Sequence, residues 1–310
     1  GLFLNLLMIY LVKTYSRADI GTFKYLLIAF ACYDIFLIIN HFILDPKSFV
    51  LPGIFAIVLH FPYGSPLLTV LSSISFMMSY SILMMHLLYR YWAIKEPSKI
   101  VLFSSPMFLF KLFIAIIAAN AALVSFGMTT LSPADSEATQ RMRAEFRRKL
   151  GRDIDTGWVV SDYWAGGKYD VLAITAALGV DAMGVGILIL AVVLSSLTYR
   201  HIKSAFSLSP HAKSVQIRLL TTVCAQTFVP MVCVTIPFFC DTTLPAFGVT
   251  LDFVADTTGL LNSIFPSWDP LTVIVIMKPY RLGLWSIVTC SKRKERPSVS
   301  EHRLGSVAPI

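Results

Sequence analysis

Charge is scarce in this chain: only 14 % of its 310 residues are Asp, Glu, Lys or Arg, against 56 % hydrophobic. An ordinary soluble domain carries about 25 % charge, so the composition excludes one. The chain also lacks a glycine-rich phosphate loop, a serine in a nucleophile-elbow setting and a His-Glu pair at metal spacing. His41, His60 and His86 are scattered. These absences argue against an enzyme, a metal centre and a cofactor site. None of the five cysteines falls between residues 128 and 169, so no disulfide can tie that segment to the rest. Asn-x-Ser/Thr acceptors are missing throughout.

Long apolar runs are abundant instead. Roughly 20 apolar residues in a helix cross about 30 Å of hydrocarbon. Residues 23–44, 66–89, 108–127, 170–198, 219–240 and 251–277 qualify. A shorter run, 1–12, rises only about 18 Å as a helix. Lipid offers backbone groups no hydrogen-bond partner, so these runs are expected to be helices packed into one bundle. The fold expected is an all-α membrane protein of seven spans, occupying residues 1–290. Because the sequence opens on Gly1, the first helix is expected to be truncated at its outer end, a partial or degenerate gene product being one explanation.

The net charge of +8 does not imply nucleic acid, because of where the bases sit. Seventeen of the 26 lie in alternate connecting segments, on one side of the bundle. They include Lys13 and Lys24, Arg90 and Lys95, Arg200 and Lys213, and a cluster from Lys278 to Arg303. The positive-inside rule then places the N-terminus outside and the C-terminus in the cytosol. The segment 128–169 is longer, and its bases are nearly balanced by acids, so it constrains topology less.

Between the spans, the apolar stretch 49–61 is too short to cross and reads as an outer loop or a collar on span three. Residues 138–150, after Pro133-Ala134-Asp135 and before Gly151, read as a short surface helix. Residues 279–290 suit a helix in the inner membrane interface, contacting lipid, and the tail 291–310 reads as disordered. Cys290, beside Lys292-Arg293-Lys294, is a candidate for S-palmitoylation.

Polar groups inside spans carry the functional expectations, since a centred carboxylate costs about 2.5–3.5 kcal/mol on insertion scales. Asp34 and Asp269, the latter directly before Pro270, should face the interior and can pair with each other, water or a cation. They either form a structural polar pair or act as a switch. Arg90, one turn beyond His86, can snorkel to headgroups or point into a cavity that receives a partner. Pro230 and Pro237 in span six, with Pro266 and Pro270 in span seven, supply hinges. Depth and polarity nominate Ser72, Phe76, Asp181, Thr235 and Asn262 as pocket residues for a small ligand.

Taken together, several motifs resemble those of the nematode seven-transmembrane chemoreceptors of the Str superfamily (diacetyl-receptor-like serpentine receptors). They are Gly21-Thr22-Phe23-Lys24-Tyr25-Leu26, then His86-Leu87-Leu88-Tyr89-Arg90-Tyr91-Trp92-Ala93. Gln226-Thr227-x-x-Pro230, Ile236-Pro237, Asp269-Pro270-Leu271 and Lys278-Pro279-Tyr280-Arg281 follow in order. The resemblance implies a G-protein-coupled olfactory receptor of sensory-neuron cilia in the plasma membrane. It would bind an odorant-like small molecule and activate a heterotrimeric G protein through Tyr89-Arg90-Tyr91. Tyr89 stands where other serpentine receptors carry an acid, and Val273 stands where the span-seven motif carries a tyrosine. A secondary transporter is the rival reading. It predicts paired interrupted helices in two halves, which the odd span number disfavours.

Overall fold

The computed structural model describes residues 1–16, 20–61, 63–128, 130–206 and 208–290. The expected tail 291–310 lies outside the described residues. Among the described residues seven helical segments form the bundle, the first, at 14 residues, shorter than a full span. They are α1 (Leu2–Tyr15), α2 (Phe23–Leu44), α3 (Pro66–Lys95), α4 (Pro106–Met128) and α6 (Val171–Ser204). The sixth span joins α7 (Pro210–Pro230) and α8 (Ile236–Thr243), and the seventh is α9 (Asp252–Ile276). Short α5 (Glu137–Leu150) and α10 (Lys278–Val288) complete the helices. Spans two, three, five, six and seven are each long and apolar enough to cross a bilayer unaided. Span four passes that test together with a 3-10 turn at Pro97–Ser104, bent 85° from it. Apolar side chains on α4 and α6, such as Phe110, Ile189 and Val192, point outward, as lipid-facing surfaces do.

Start signals explain several helix ends. Ser65, Ser136 and Ser209 each cap a helix by accepting a backbone N–H three residues on, and Pro follows at once in α3 and α7. Gly151 stops α5 in the left-handed region, at φ +67°. Pro230 and Pro237 bracket a π-helical turn, Met231–Thr235, within span six. Each proline lacks an N–H, so the carbonyls of Gln226 and Cys233 lose their ordinary partners and the wider turn results.

The stretch 49–61 corrects the sequence reading. It is neither loop nor collar but most of a β-hairpin, β1 (Pro46–Leu51) and β2 (Ile54–Leu59), turned at Pro52-Gly53 with Gly53 at φ +81°. A third strand, β3 (Val159–Asp162), pairs antiparallel with β2. The sheet is buried on both faces. Phe49, Ile54, Ala56 and Val58 pack with Met142 and Phe146 of α5, while Val50 and Phe55 pack with Tyr163, just past β3, and with Ala173 and Ala246 of the bundle. A strand buried on both faces reads as an unbroken apolar run, with no alternation to betray it.

This cap closes one end of the bundle. Tyr163 pins it by donating to the Thr242 carbonyl at 2.7 Å, and burial, aided by nearby Asp181, pushes the Tyr163 phenol pKa up. At the other end α10 folds back on α1, where Tyr280 bonds Ser16 and Ser286 bonds Tyr15, both at 2.9 Å.

Candidate functional site

Beneath the cap lies a cavity of about 150 Å³. Its roof is the start of the hairpin, Asp45 to Ser48 with Ile57. Its walls come from α2, α3, α6, the π turn and α9. Ser72, Phe76, Thr235 and Asn262 line it, as depth and polarity suggested. Asp181 does not. It faces α8 instead, accepting bonds from Thr242, at 3.0 Å, and from Thr243, so it ties spans five and six together. The depth of Asp181 along its helix was readable, but its direction around the axis was not.

Sequence reasoning missed His41, Tyr80, Met183 and Met231 in the lining. His41 stacks on Phe76, with centroids 5.9 Å apart and planes at 16°. The signal was present, because residues 34, 37 and 41 share one helix face and Asp34 was already assigned inward. Gly184 also belongs here. A Cβ there would stand 2.6 Å from the tip of the Phe239 ring, so a larger residue would push that ring aside.

Charge at the roof is self-contained. Lys47 pairs with Asp45 at 2.8 Å, and His60 Nδ1 lies 3.1 Å from the same carboxylate. Burial pushes the Asp45 carboxyl up, but the bonds and charges of Lys47 and His60 outweigh it and hold the group below the usual carboxylate range.

Below the cavity, Tyr80 stacks on Phe265, with centroids 6.0 Å apart. Deeper still, Asp34 and Asp269 are fully buried and close enough to interact electrostatically, with the Gln226 amide facing Asp269. None of the four carboxyl oxygens has a partner at normal hydrogen-bond geometry among the described residues. Pro270 frees the Pro266 carbonyl one turn earlier, and Asn5 on α1 donates to it at 2.8 Å.

At the far end Arg90 is 3 % exposed, so it does not snorkel. Its guanidinium covers the Phe23 ring at 3.6 Å, and Nη1 donates to Gln216 Oε1 at 3.3 Å. Among the described residues no carboxylate stands within ion-pair distance of it. Tyr89 turns aside to bond Thr22 at 2.5 Å, and Tyr91 packs on His201. Cys290, just past α10, is exposed. The described residues hold no cluster of metal-ligating side chains.

A family model described as serpentine type 7TM GPCR chemoreceptor Str matches residues 1–285. Serpentine receptor class r-10 of Caenorhabditis elegans is 23 % identical over 308 residues, covering 96 % of this chain and 89 % of the relative. Its counterpart of the same name in Caenorhabditis briggsae is 21 % identical over 313 residues, with the same coverage of both chains. With seven spans, a capped cavity at one end and a buried Arg90 at the other, this chain belongs to the Str family of serpentine seven-transmembrane chemoreceptors.

Proposed function

We propose that the chain detects an environmental small molecule in the capped cavity and transmits its binding to a heterotrimeric G protein at the Arg90 end. The N-terminus and the β-sheet cap then face the exterior and Arg90 faces the cytosol, in the plasma membrane of sensory cilia. The positive-inside distribution of the basic residues supports that orientation. The observation that carries the reading is the axial stacking of parts through the bundle. Cavity residue Tyr80 touches Phe265, and Asp34 and Asp269 lie on the helices that frame Phe265. Arg90 is shut in beneath them against Phe23 on the same helix as Asp34.

The cytosolic surface in this conformation is closed. Opening requires Arg90 to leave Phe23 and Gln216, and the π turn between Pro230 and Pro237 is where span six can bend to allow it. A ligand that favours the open packing shifts the population toward it. The receptor performs no chemistry of its own in this scheme, and palmitoylation of exposed Cys290 anchors the end of α10 to the inner leaflet.

Expression in a heterologous cell with a panel of volatile compounds tests the proposal. A second-messenger response that Arg90→Ala abolishes, at unchanged surface expression, is the expected result. Ligand-independent uptake of compound across the membrane, with no messenger response, would sink it.

A further inference from the structure

The hairpin turn, the end of β3 and the turn that follows α8 are bonded into one joint. Gly53 N–H donates to the Pro245 carbonyl at 2.9 Å, and Tyr163 N–H donates to the Gly53 carbonyl at 2.8 Å. Trp164 closes the joint. Its Nε1 donates to the Ala246 carbonyl at 2.9 Å, and its ring lies against Gly53 and Gly248. Although that N–H is satisfied inside, Trp164 remains 41 % exposed. Tyr169 meets the indole edge to face, with centroids 5.7 Å apart, and is exposed as well. Phe247, between the Ala246 and Gly248 that touch Trp164, is 68 % exposed. The joint thus turns a rim of aromatic rings outward.

Height and continuity say what covers this rim. From Val171 to Leu197, where the apolar run gives way to Tyr199-Arg200, α6 rises about 40 Å. That is the thickness of a bilayer with its headgroup layers, so Tyr169 and Val171 stand at headgroup level on the cap side. Below them the outward surface is continuous hydrocarbon, with Leu178 on α6 under Val171 and Ile236 on α8 under Phe247. Lys168, exposed beside Tyr169, is a cation at the height of lipid phosphate. The outward face of α5 is different: it exposes Arg141, Arg147 and Arg148, a surface suited to water. We infer that the flank of the cap formed by Trp164, Tyr169 and Phe247 is seated in the interfacial layer of the bilayer. Amphipathic rings favour that layer. The cap is then held twice, by Tyr163 bonding the bundle and by this rim in lipid, and the root of the same hairpin roofs the cavity. The inference depends neither on the ligand nor on which side of the cell the cap faces.

Fluorescence quenching in nanodiscs, one full-length receptor to each disc, tests it. Phe247→Trp adds a fluorophore to the rim and leaves the Trp164 bond intact, whereas Arg141→Trp adds one to the outward face of α5. Each spectrum is read as its difference from the parent, on variants whose melting curves match the parent. The discs contain phosphatidylcholine brominated high in its acyl chains, and iodide is the aqueous quencher. The emission added by Phe247→Trp should be lost mostly to brominated lipid and little to iodide. Arg141→Trp should show the opposite. Trp164→Phe gives the same reading from the native ring, because it should remove a lipid-quenched component from the parent spectrum. Emission from the rim that iodide quenches as fully as Arg141→Trp, with no loss to brominated lipid, overturns the inference. Rim emission that neither quencher reaches overturns it as well, since protein rather than lipid would then cover the rings.

Discussion

The guanidinium carbon of Arg90 lies 3.6 Å above the centroid of the Phe23 ring, joining the end of α3 to the start of α2. A buried cation on an aromatic face gains about 2 kcal/mol when desolvated. Tyr89 supplies no negative charge beside it, so the face of Phe23 and the amide of Gln216 take the place of an ion pair. Replacing Phe23 with Leu keeps most of the bulk and removes the π face. Ligand-independent messenger production should rise, by up to about thirtyfold if the whole interaction restrains opening. Gln216→Glu should do the reverse, since it converts a bond from a cation to a neutral amide into an ion pair. Basal signalling at matched surface expression decides the matter, and an unchanged basal level in both variants would show that this contact restrains nothing.

Asn5 ties α1 to α9 at Pro266. Its amide donates to a carbonyl that Pro270 deprives of its helical partner. Asn5→Leu fills similar space but leaves that carbonyl orphaned in a fully buried site. The expected loss is about 1–3 kcal/mol of stability, read as a lower melting temperature in nanodiscs. No comparable loss should follow Tyr10→Leu on the exposed side of the same helix.

How far the sequence discloses this architecture depends on what each segment touches. The bounds of α2 were legible because one apolar run ends abruptly at Asp45, and the observed helix coincides with it. Span six begins nine residues before the apolar window, since Pro210–Arg218 carries polar side chains outside the hydrocarbon, although Ser209-Pro210 is a readable start. The hairpin was illegible because α5 covers one face and the bundle covers the other, which erased the two-residue period. Among the site residues, Ser72 and Phe76 stand one turn apart and both face the cavity. Asp181 resembled them in depth and polarity, yet Thr242 and Thr243 claim its carboxylate. For Asp181, only the packed helices reveal azimuth.

Asp34 and Asp269 are buried within electrostatic reach and have no partner at normal hydrogen-bond geometry among the described residues, which couples their energetics. Replacing either by Asn removes one of two acids from a site where burying charge is costly, so the resting protein should melt higher, by the equivalent of about 1 kcal/mol. The second replacement should add little once the first is made, because the unfavourable relationship is already gone. A double-mutant cycle on melting temperature measures this. Strictly additive shifts would mean that the two carboxyls do not communicate. Agonist efficacy should fall in both single variants if the pair rearranges during opening.

The roof of the cavity carries its own pH dependence through Asp45. Its pKa is depressed in the folded protein, so the associated stability is present above the unfolded value of about 3.9 and is lost as pH falls through the still lower folded value. Glu145 on α5 follows the same sign: the bond from Arg148 lowers its pKa despite opposing burial, and nearby Arg148 and Lys149 charges add to the effect. Asp45 is partly exposed, so solvent screening holds its contribution under about 1 kcal/mol. Below about pH 4 the Lys47 and His60 contacts to Asp45 weaken, and amide exchange in Pro46–Leu51, corrected for its intrinsic pH dependence, should accelerate. Asp45→Asn should give the faster exchange at every pH and abolish the acid-dependent step. A step that persisted in that variant would move the titration to another group of the cap.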